Sequence, residues 1–195
     1  MKKLAIVLAA ASLLFAACTK TKTIQLADFT ATYPASLEVM HSSDNFPDDA
    51  ALFFQGENGQ IGMNTVVYYS DAELGHIAEL YAEDGALHGF IYNKLMELFN
   101  KVDEGDILPG LDIEDVSQIE WSDDDLCGSF LFSGTHGEEA DPFIGGITIY
   151  LNNGALVSSL AVGAQSDDVD ELLGIATSLE FAPHEGSYHP TEIPE

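Results

Sequence analysis

The sequence predicts an α+β domain in which an antiparallel β-sheet is flanked by helices on both faces, an α/β/α sandwich. Short apolar segments separated by turn residues occupy most of the chain, which indicates strands joined by hairpins. Between residues 71 and 102, and again between residues 167 and 177, apolar side chains recur at helical spacing. Hairpins favour antiparallel pairing, and two amphipathic helical regions are enough to cover the two faces of a sheet.

Four strand-like segments precede the first helical region. They are "TIQLADFTATYP", "SLEVMHSS", residues 50–55 and residues 61–69. The polar stretch "ENGQ" contains a glycine and lies between the last two segments, so it predicts a hairpin turn.

The helical region begins with a capping signal. Ser70 is a predicted N-cap, and Glu73 stands where a capping box requires it, so a helix should start at Asp71. The tripeptide "EDG" at residues 83–85 interrupts the pattern, which predicts a bent helix or two helices. The acidic segment 103–115 is predicted to be a loop.

Strand patterns return after this loop. The segments are "VSQIEWS", "LCGSFLFSG", "FIGGITIYLN" and "ALVSSLAVG", and the last two are joined by the turn signal "NNG". A capped helix over residues 167–177 and a short final strand should follow. The inward positions of these strands are expected to include Phe130, Phe132, Ile147, Ile149, Leu156 and Leu160.

The N-terminus has the layout of a secretory signal. Two lysines follow Met1, and residues 4–15 form an apolar run that is shorter than the roughly 20 residues of a membrane-spanning helix. The following "FAAC" resembles the lipobox of bacterial lipoprotein signal peptides, with Phe15 where leucine is usual. The resemblance implies cleavage before Cys18 and attachment of acyl chains such as palmitate to Cys18. An ordinary secretory signal with a chance cysteine is the alternative.

This interpretation divides the chain into four parts. Residues 1–17 are a signal peptide, 18–22 a lipidated tether, 23–182 a single α+β domain and 183–195 a disordered tail. The mature chain would have 178 residues, a usual length for one domain. If Cys18 is acylated, Cys127 is the only remaining thiol and no internal disulfide can form. Cys127 is expected to be a small buried hydrophobe.

The charge balance excludes several classes of partner. The chain has 33 acidic residues and six lysines, with no arginine, and loss of Lys2 and Lys3 leaves 4 − 33 = −29. Nucleic acid is excluded because its binding requires clustered cations. Anionic lipid surfaces and phosphorylated ligands are disfavoured for the same reason, so the lipid itself must hold the protein at the membrane.

No catalytic constellation is present in the sequence. The chain lacks HExxH, GxSxG and a glycine-rich phosphate loop, so we predict no catalytic residue, no cofactor and no enzyme activity. His88 falls on the apolar side of its helix and is predicted to be a partly buried imidazole. The six histidines, none of which forms a zinc motif, are His41, His76, His88, His136, His184 and His189.

Acidic clusters are the weak candidates for a metal site. Ca²⁺ takes six to eight oxygen ligands, which carboxylates on loops can supply, but the EF-hand pattern is absent. A solvated acidic surface is the alternative for each cluster, including residues 166–171 at a helix start. The candidate ligands are Asp123, Asp124, Asp125, Glu138, Glu139 and Asp141.

A family resemblance covers most of the mature chain. The segment "FTATYPASLEV", the mid-chain helix, the hairpin "ITIYLNNGALVSSLAVG" and the helix ending in "ATSLEF" together resemble the PsbP-like fold. This fold is shared by the extrinsic photosystem II subunit and DcrB-type bacterial lipoproteins. The resemblance implies an α/β/α sandwich and an adaptor or assembly role without catalysis.

Two functional hypotheses follow. The first is a non-catalytic, lipid-anchored cell-envelope protein on the periplasmic side that binds another protein. The alternative is a lipoprotein that binds a small molecule or a cation such as Ca²⁺, and an enzyme ranks third. A contiguous exposed apolar surface would favour the first. A deep pocket with a few convergent polar groups would favour the second.

Overall fold

The structure is a computed structural model that describes residues 20–45, 48–152 and 154–181. Eleven strands and three α-helices form within these ranges. The helices are α1 (Asp71–Leu80), α2 (Leu87–Asp103) and α3 (Ser166–Thr177). The strands are β1 (Thr21–Gln25), β2 (Phe29–Pro34), β3 (Leu37–Asn45), β4 (Asp49–Gly56), β5 (Ile61–Tyr68), β6 (Leu111–Val116), β7 (Glu120–Trp121), β8 (Cys127–His136), β9 (Asp141–Asn152), β10 (Ala155–Gly163) and β11 (Glu180–Phe181). The mixed α+β class is therefore confirmed.

Most strands belong to one antiparallel sheet. Its order is β3-β4-β5-β10-β9-β8-β6, with β7 paired to β8 beside β6. The predicted hairpins β4–β5 and β9–β10 form the antiparallel centre of this sheet. A smaller sheet has the order β1-β2-β11.

Two hydrophobic clusters form the core. Cluster 1 includes Val169, Leu172 and Ile175 of α3 together with Phe54, Val66 and Val157 of the large sheet. Cluster 2 includes Phe90, Ile91 and Leu95 of α2 together with Phe130, Ile147 and Leu160 of the large sheet. All six residues predicted to face inward from β8, β9 and β10 are buried in cluster 2.

The helical region follows its sequence signals. Ser70 caps α1, since its Oγ accepts a hydrogen bond from the Glu73 backbone N–H while the Glu73 carboxylate accepts one from the Ser70 backbone N–H. After α1 comes a 3₁₀ turn, Ala82–Asp84, and then Gly85 with φ of 81°. Glycine tolerates this left-handed conformation, so the chain can turn there before α2 begins. Of the two predicted alternatives, a bent helix or two helices, the structure has two helices.

The prediction that residues 103–115 form a loop is wrong in its second half. Strand β6 starts at Leu111 and pairs with β8. Leu111 and Ile113 alternate with acidic residues and pack against cluster 2, so the strand period is present. The segment is predicted to be a loop because its composition is acidic, and composition alone does not show the alternation of apolar residues.

The strand predicted from Val116 is much shorter than expected. Val116 is the last residue of β6, and in the rest of the segment only Glu120 and Trp121 form a strand, β7, which pairs with Ser129 and Gly128. At Ser117 the backbone N–H donates to the Leu131 carbonyl, and the Leu131 N–H donates to Ser117 Oγ. The serine side chain thus takes the place of a backbone acceptor and interrupts regular pairing.

Three further boundaries differ from prediction. The first predicted segment contains two strands, β1 and β2, which turn at residues 26–28. Strand β1 begins at Thr21, so Thr21 and Lys22 of the predicted tether pair within the small sheet. Helix α3 begins at Ser166, and its N-cap Gln165 makes no side-chain capping hydrogen bond. The signal peptide, Cys18 and the tail from residue 183 lie outside the described residues.

Candidate functional site

The structure separates the candidate metal ligands into two groups. Residues 123–125 lie in the turn between β7 and β8, whereas Glu138, Glu139 and Asp141 lie where β8 passes into β9. The two groups stand at opposite ends of β8, a strand of ten residues that spans about 30 Å. Within the described ranges, no group of three His, Cys, Asp or Glu side chains is placed to hold a metal ion.

The first group already has structural roles. The Asp124 carboxylate accepts hydrogen bonds from Ser122 Oγ and, at 3.1 Å, from the Leu126 backbone N–H. These two bonds hold the pKa of Asp124 below its usual range and close the turn. An Asp125 oxygen lies 3.6 Å from His88 Nδ1.

His88 is partly buried, as predicted, whereas Cys127 is more exposed than the predicted buried position. The His88 ring stacks on Trp121 with centroids 3.8 Å apart and its side chain is 35% exposed. Cys127 is a half-buried free thiol. Burial, and secondarily the Asp124 charge, raise the pKa of Cys127, which keeps it in the weakly nucleophilic thiol form.

The candidate site is an apolar groove of about 350 Å³ on the large sheet. Pairing aligns Phe53 of β4 with Met63 of β5, and Met63 with Leu160 of β10. The same row continues to Ile147 and Phe130, which are buried in cluster 2 beside α2. Phe130 is 4% exposed, whereas Phe53, at the other end of the row, is 36% exposed. The groove is the part of this apolar row that remains open to solvent.

A β-bulge adds an exposed side chain to the groove. Strand β3 pairs with β4 at the sheet edge, and the register shifts between Val39 and His41, so Met40 is the extra residue. A bulge can redirect a side chain at the edge of a sheet. Met40 lines the groove and is 60% exposed, the second-highest exposure among the large hydrophobic side chains of the described residues.

The loop after α2 forms another wall of the groove. The Ile107 backbone N–H donates to the Lys101 carbonyl at 3.0 Å, which folds the loop back on the end of α2. Leu108 has φ of 58°, a left-handed conformation that is unfavourable for leucine. Both Ile107 and Leu108 line the groove. Strained backbone conformations of this kind are found often at binding sites.

The surroundings of the groove are acidic. The exposed Asp103, Glu104 and Asp106 immediately precede Ile107. Lys94 and Lys101 of α2 both pair with Glu97, at 2.8 and 2.9 Å. Together with Glu97 they leave a net charge of +1, which is less than the charge of the three carboxylates that precede Ile107. A partner that complements this region would carry apolar and basic side chains.

Sequence reasoning did not identify the groove residues. In "AALFFQG" two adjacent phenylalanines point to opposite faces of β4. Both faces of the sheet would have to be covered for both rings to be buried. The other signal in the sequence is Met40, an apolar residue in a largely polar edge strand. The approach of Ile107 and Leu108 depends on tertiary structure and has no local signal.

No helix among the described residues is long and apolar enough to cross a membrane. No protein-family model matches the chain, and no curated protein matches it.

Several solved structures resemble this chain over most of its length. One is the Ran-binding protein Mog1p of Saccharomyces cerevisiae, with 9% identity, a TM-score of 0.45 and coverage of 84% of this chain and 96% of that one. Cyanobacterial PsbP (CyanoP) from Synechocystis has 11% identity, a TM-score of 0.42 and coverage of 85% and 94%. LpqN, involved in cell envelope biogenesis of Mycobacterium tuberculosis, has 10% identity, a TM-score of 0.30 and coverage of 89% and 96%. Likenesses at these values assign neither a family nor a function to the chain.

Proposed function

We propose that this protein is a non-catalytic, lipid-anchored protein of the bacterial cell envelope that binds a protein partner at the apolar groove. The single observation that carries the proposal is the groove itself, with Met40 and Phe53 exposed at its open end. Leaving large apolar side chains in water is unfavourable, and a contiguous exposed surface of this kind is typical of interaction sites.

The chemistry of the lining favours a protein segment over a small polar ligand. Gln55 is the only polar side chain among the residues that line the groove. A small-molecule site usually adds a few converging polar groups, which fix the orientation of the ligand. The occupant that fits best is a segment with apolar side chains for the groove and basic side chains for the surrounding carboxylates.

The "FAAC" sequence and its preceding apolar run support a lipid anchor at Cys18. Only Thr19 and Lys20 separate Cys18 from the first residue of β1. Three residue steps span at most about 11 Å, so the anchor would hold the domain close to the lipid surface. We place the protein on the periplasmic side of its membrane, where an exported lipoprotein would meet envelope partners.

A sandwich with helices on both faces of the sheet, as in the PsbP-like fold, is part of this proposal. Successive side chains of a strand point to opposite faces. In β10, Val157 and Ala161 belong to cluster 1 with α3, whereas Leu156 and Leu160 belong to cluster 2 with α2. This alternation supports one helix on each face.

A synthetic peptide tests the groove. The heptapeptide Leu-Lys-Leu-Lys-Leu-Lys-Leu presents apolar and basic side chains on opposite faces when extended. We expect saturable binding in calorimetry, weakened at least about tenfold by Phe53→Ser with Met40→Ser, which corresponds to about 1.4 kcal/mol. The matched control is Val67→Ser, because Val67 is 37% exposed on β5 but does not line the groove.

Two results would contradict the groove as the binding site. One is equal weakening by Val67→Ser, and the other is unchanged binding in the Met40 and Phe53 double variant. Either would mean that the peptide is held by the general negative charge of the surface. A glutamate version of the peptide should not bind, because it is repelled by the same charge.

The anchor is tested separately with Cys18→Ser. Without the thiol, no acyl chain can be attached, so the protein should leave the membrane fraction and retain its signal peptide. Mass spectrometry and incorporation of labelled fatty acid measure both effects, with Cys127→Ser as the control that should remain lipidated. Label that still enters the Cys18→Ser protein would refute the anchor.

A further inference from the structure

A row of polar side chains crosses the large sheet on the face that packs against α3. Pairing aligns Asn64 of β5 with Ser159 of β10, Ser159 with Thr148 of β9, and Thr148 with Ser129 of β8. Neighbouring strands lie about 4.8 Å apart, so the row spans about 14 Å. It belongs to the cluster 1 face, whereas the groove belongs to the cluster 2 face.

Asn64 and Ser159 form the inner half of this row, and their burial does not stabilise the fold. Asn64 and Ser159 are each 1% exposed. Among the described residues, neither the Asn64 amide atoms nor Ser159 Oγ has a hydrogen-bond partner. Burying a polar group without a partner disfavours the folded state, so apolar residues would serve the core better.

The outer half of the row opens into a cavity of about 320 Å³. Ser129 and Thr148 form part of its lining, and Thr148 is itself 4% exposed. Exposed carboxylates stand at the rim, Glu120 on β7 and Asp170 on α3. The remaining lining residues are Ser117, Cys127, Phe130, Leu131, Leu173, Gly174 and Thr177.

The residues that line this cavity favour a positively charged ligand. Two carboxylates and several hydroxyl groups offer acceptors, and no lysine or histidine lines the cavity. An ammonium group has three donors and no acceptor, so it complements this set. The cavity volume lies at the lower end of the range for ligand pockets, about 300–1,000 Å³, which limits the ligand to a small molecule.

We propose that this cavity binds a small organic amine. Its ammonium group lies between the carboxylates of Glu120 and Asp170, and its other polar atoms contact the hydroxyls of Ser129 and Thr148. The site is separate from the groove and does not depend on the protein partner.

Three four-carbon probes test the class of ligand. They are putrescine, which is a diamine, the neutral 1,4-butanediol and the dianion succinate. The protein is the full chain with Cys18→Ser, so that Cys127 is its only thiol. We expect saturable putrescine binding in calorimetry with Kd of about 1 mM or tighter, at least about tenfold weaker binding of butanediol and none of succinate. Putrescine should also slow alkylation of Cys127 by N-ethylmaleimide, because the thiol lines the cavity.

A steric variant localises the amine. An added Cβ at Gly174 would meet no atom within 4 Å, so Gly174→Leu can extend into the cavity, and leucine favours a helix more than glycine does. We expect putrescine to bind at least about tenfold more weakly while the melting temperature stays equal or rises. The matched control is Gly75→Leu in α1, where an added Cβ also meets no atom within 4 Å. Thr148→Val, which replaces the hydroxyl with a methyl group, should weaken binding by a similar factor.

The proposal is overturned if putrescine shows no saturable binding or if butanediol binds as tightly. It is also overturned if Gly174→Leu leaves putrescine binding and Cys127 alkylation unchanged, since the amine would then lie elsewhere on the acidic surface. An equal loss of putrescine binding in Gly174→Leu and Gly75→Leu would also show that the amine does not bind in this cavity. Peptide binding at the groove is measured independently with Phe53→Ser, so the two proposals can fail separately.

Discussion

Individual residues in this protein depart from the rule that buried polar groups have partners. Asn64 and Ser159 face each other across β5 and β10 at 1% exposure, without hydrogen bonds among the described residues. An unsatisfied buried polar group costs about 1–3 kcal/mol. Their presence therefore reduces stability.

Ser159→Ala should stabilise the protein. The change removes the unpartnered hydroxyl and adds no volume, so the free energy of unfolding should rise by about 1 kcal/mol. The control is Ser158→Ala, on the next residue and the opposite face of β10, which should have little effect. Urea denaturation measures both changes. A lower midpoint for Ser159→Ala would mean that the hydroxyl has a stabilising partner.

Two phenylalanines in one cross-strand row allow a direct comparison of burial. Phe130 is 4% exposed and contacts Phe99 of α2 with ring centroids 5.4 Å apart, whereas Phe53 is 36% exposed. Phe130→Ala should lower the free energy of unfolding by about 3–5 kcal/mol. Phe53→Ala should cost clearly less, because solvent already reaches its ring. Equal urea midpoints for the two variants would contradict the description of the groove as open.

The helices differ in what holds them. Helix α1 contains no fully buried residue, so its capping box and the partly buried Leu74 and Ile77 stabilise it. Helix α2 buries Phe90, Ile91 and Leu95. Local signals therefore matter most for α1, and tertiary packing for α2.

The pH dependence of α2 should come from Glu97. Hydrogen bonds from Lys94 and then Lys101 lower the pKa of Glu97 to about 2. A lowered pKa stabilises the fold above the unfolded value of 4.5, and this contribution is lost as pH falls from there through about 2. Because the pairs are about half exposed, Glu97→Gln should cost less than about 1 kcal/mol at pH 7.

Melting curves from pH 7 to pH 2 test this expectation. The difference between the unmodified protein and Glu97→Gln should shrink below pH 4.5 and vanish near pH 2. Glu79→Gln on the exposed surface of α1 is the control for the loss of one negative charge. A difference that is constant over this range would show that the Glu97 pairs do not contribute.

At the scale of the whole molecule, the excess of acidic residues dominates. The chain carries a formal net charge of −27, and these like charges repel one another, so screening should favour the compact state. We expect the melting temperature to rise when NaCl is increased to about 0.15 M at pH 7, where the Debye length is about 8 Å. An unchanged or lower melting temperature would mean that the surface charges are compensated locally.

Calcium at matched ionic strength distinguishes screening from a metal site. The acidic groups at the two ends of β8 are separated, so millimolar Ca²⁺ should add only a small further rise. A cation site would instead stabilise in proportion to RT ln(1 + [L]/Kd). A large, saturable rise with Ca²⁺ that Mg²⁺ does not reproduce would show that these carboxylates form a site.

The sequence by itself determined the features that depend on local chemistry. The Ser70 capping box, the break at Gly85, the hairpins β4–β5 and β9–β10, and the buried face of β8 through β10 all follow from turn residues and periodicity. These signals lie within a few residues of one another, so a single sequence contains them. The lipid anchor at Cys18 is also a local prediction, and it stays a prediction because Cys18 lies outside the described residues.

Tertiary structure alone decided where the open surfaces lie. Phe53 and Phe130 have the same side chain and lie in one cross-strand row, but only Phe130 is packed against α2. Likewise, Asn64 joins Ser159 and Thr148 in the polar row only because β5 pairs in this register with β10, which is distant in sequence. Whether a strand face is covered depends on where a helix distant in sequence packs, and no local pattern specifies that position.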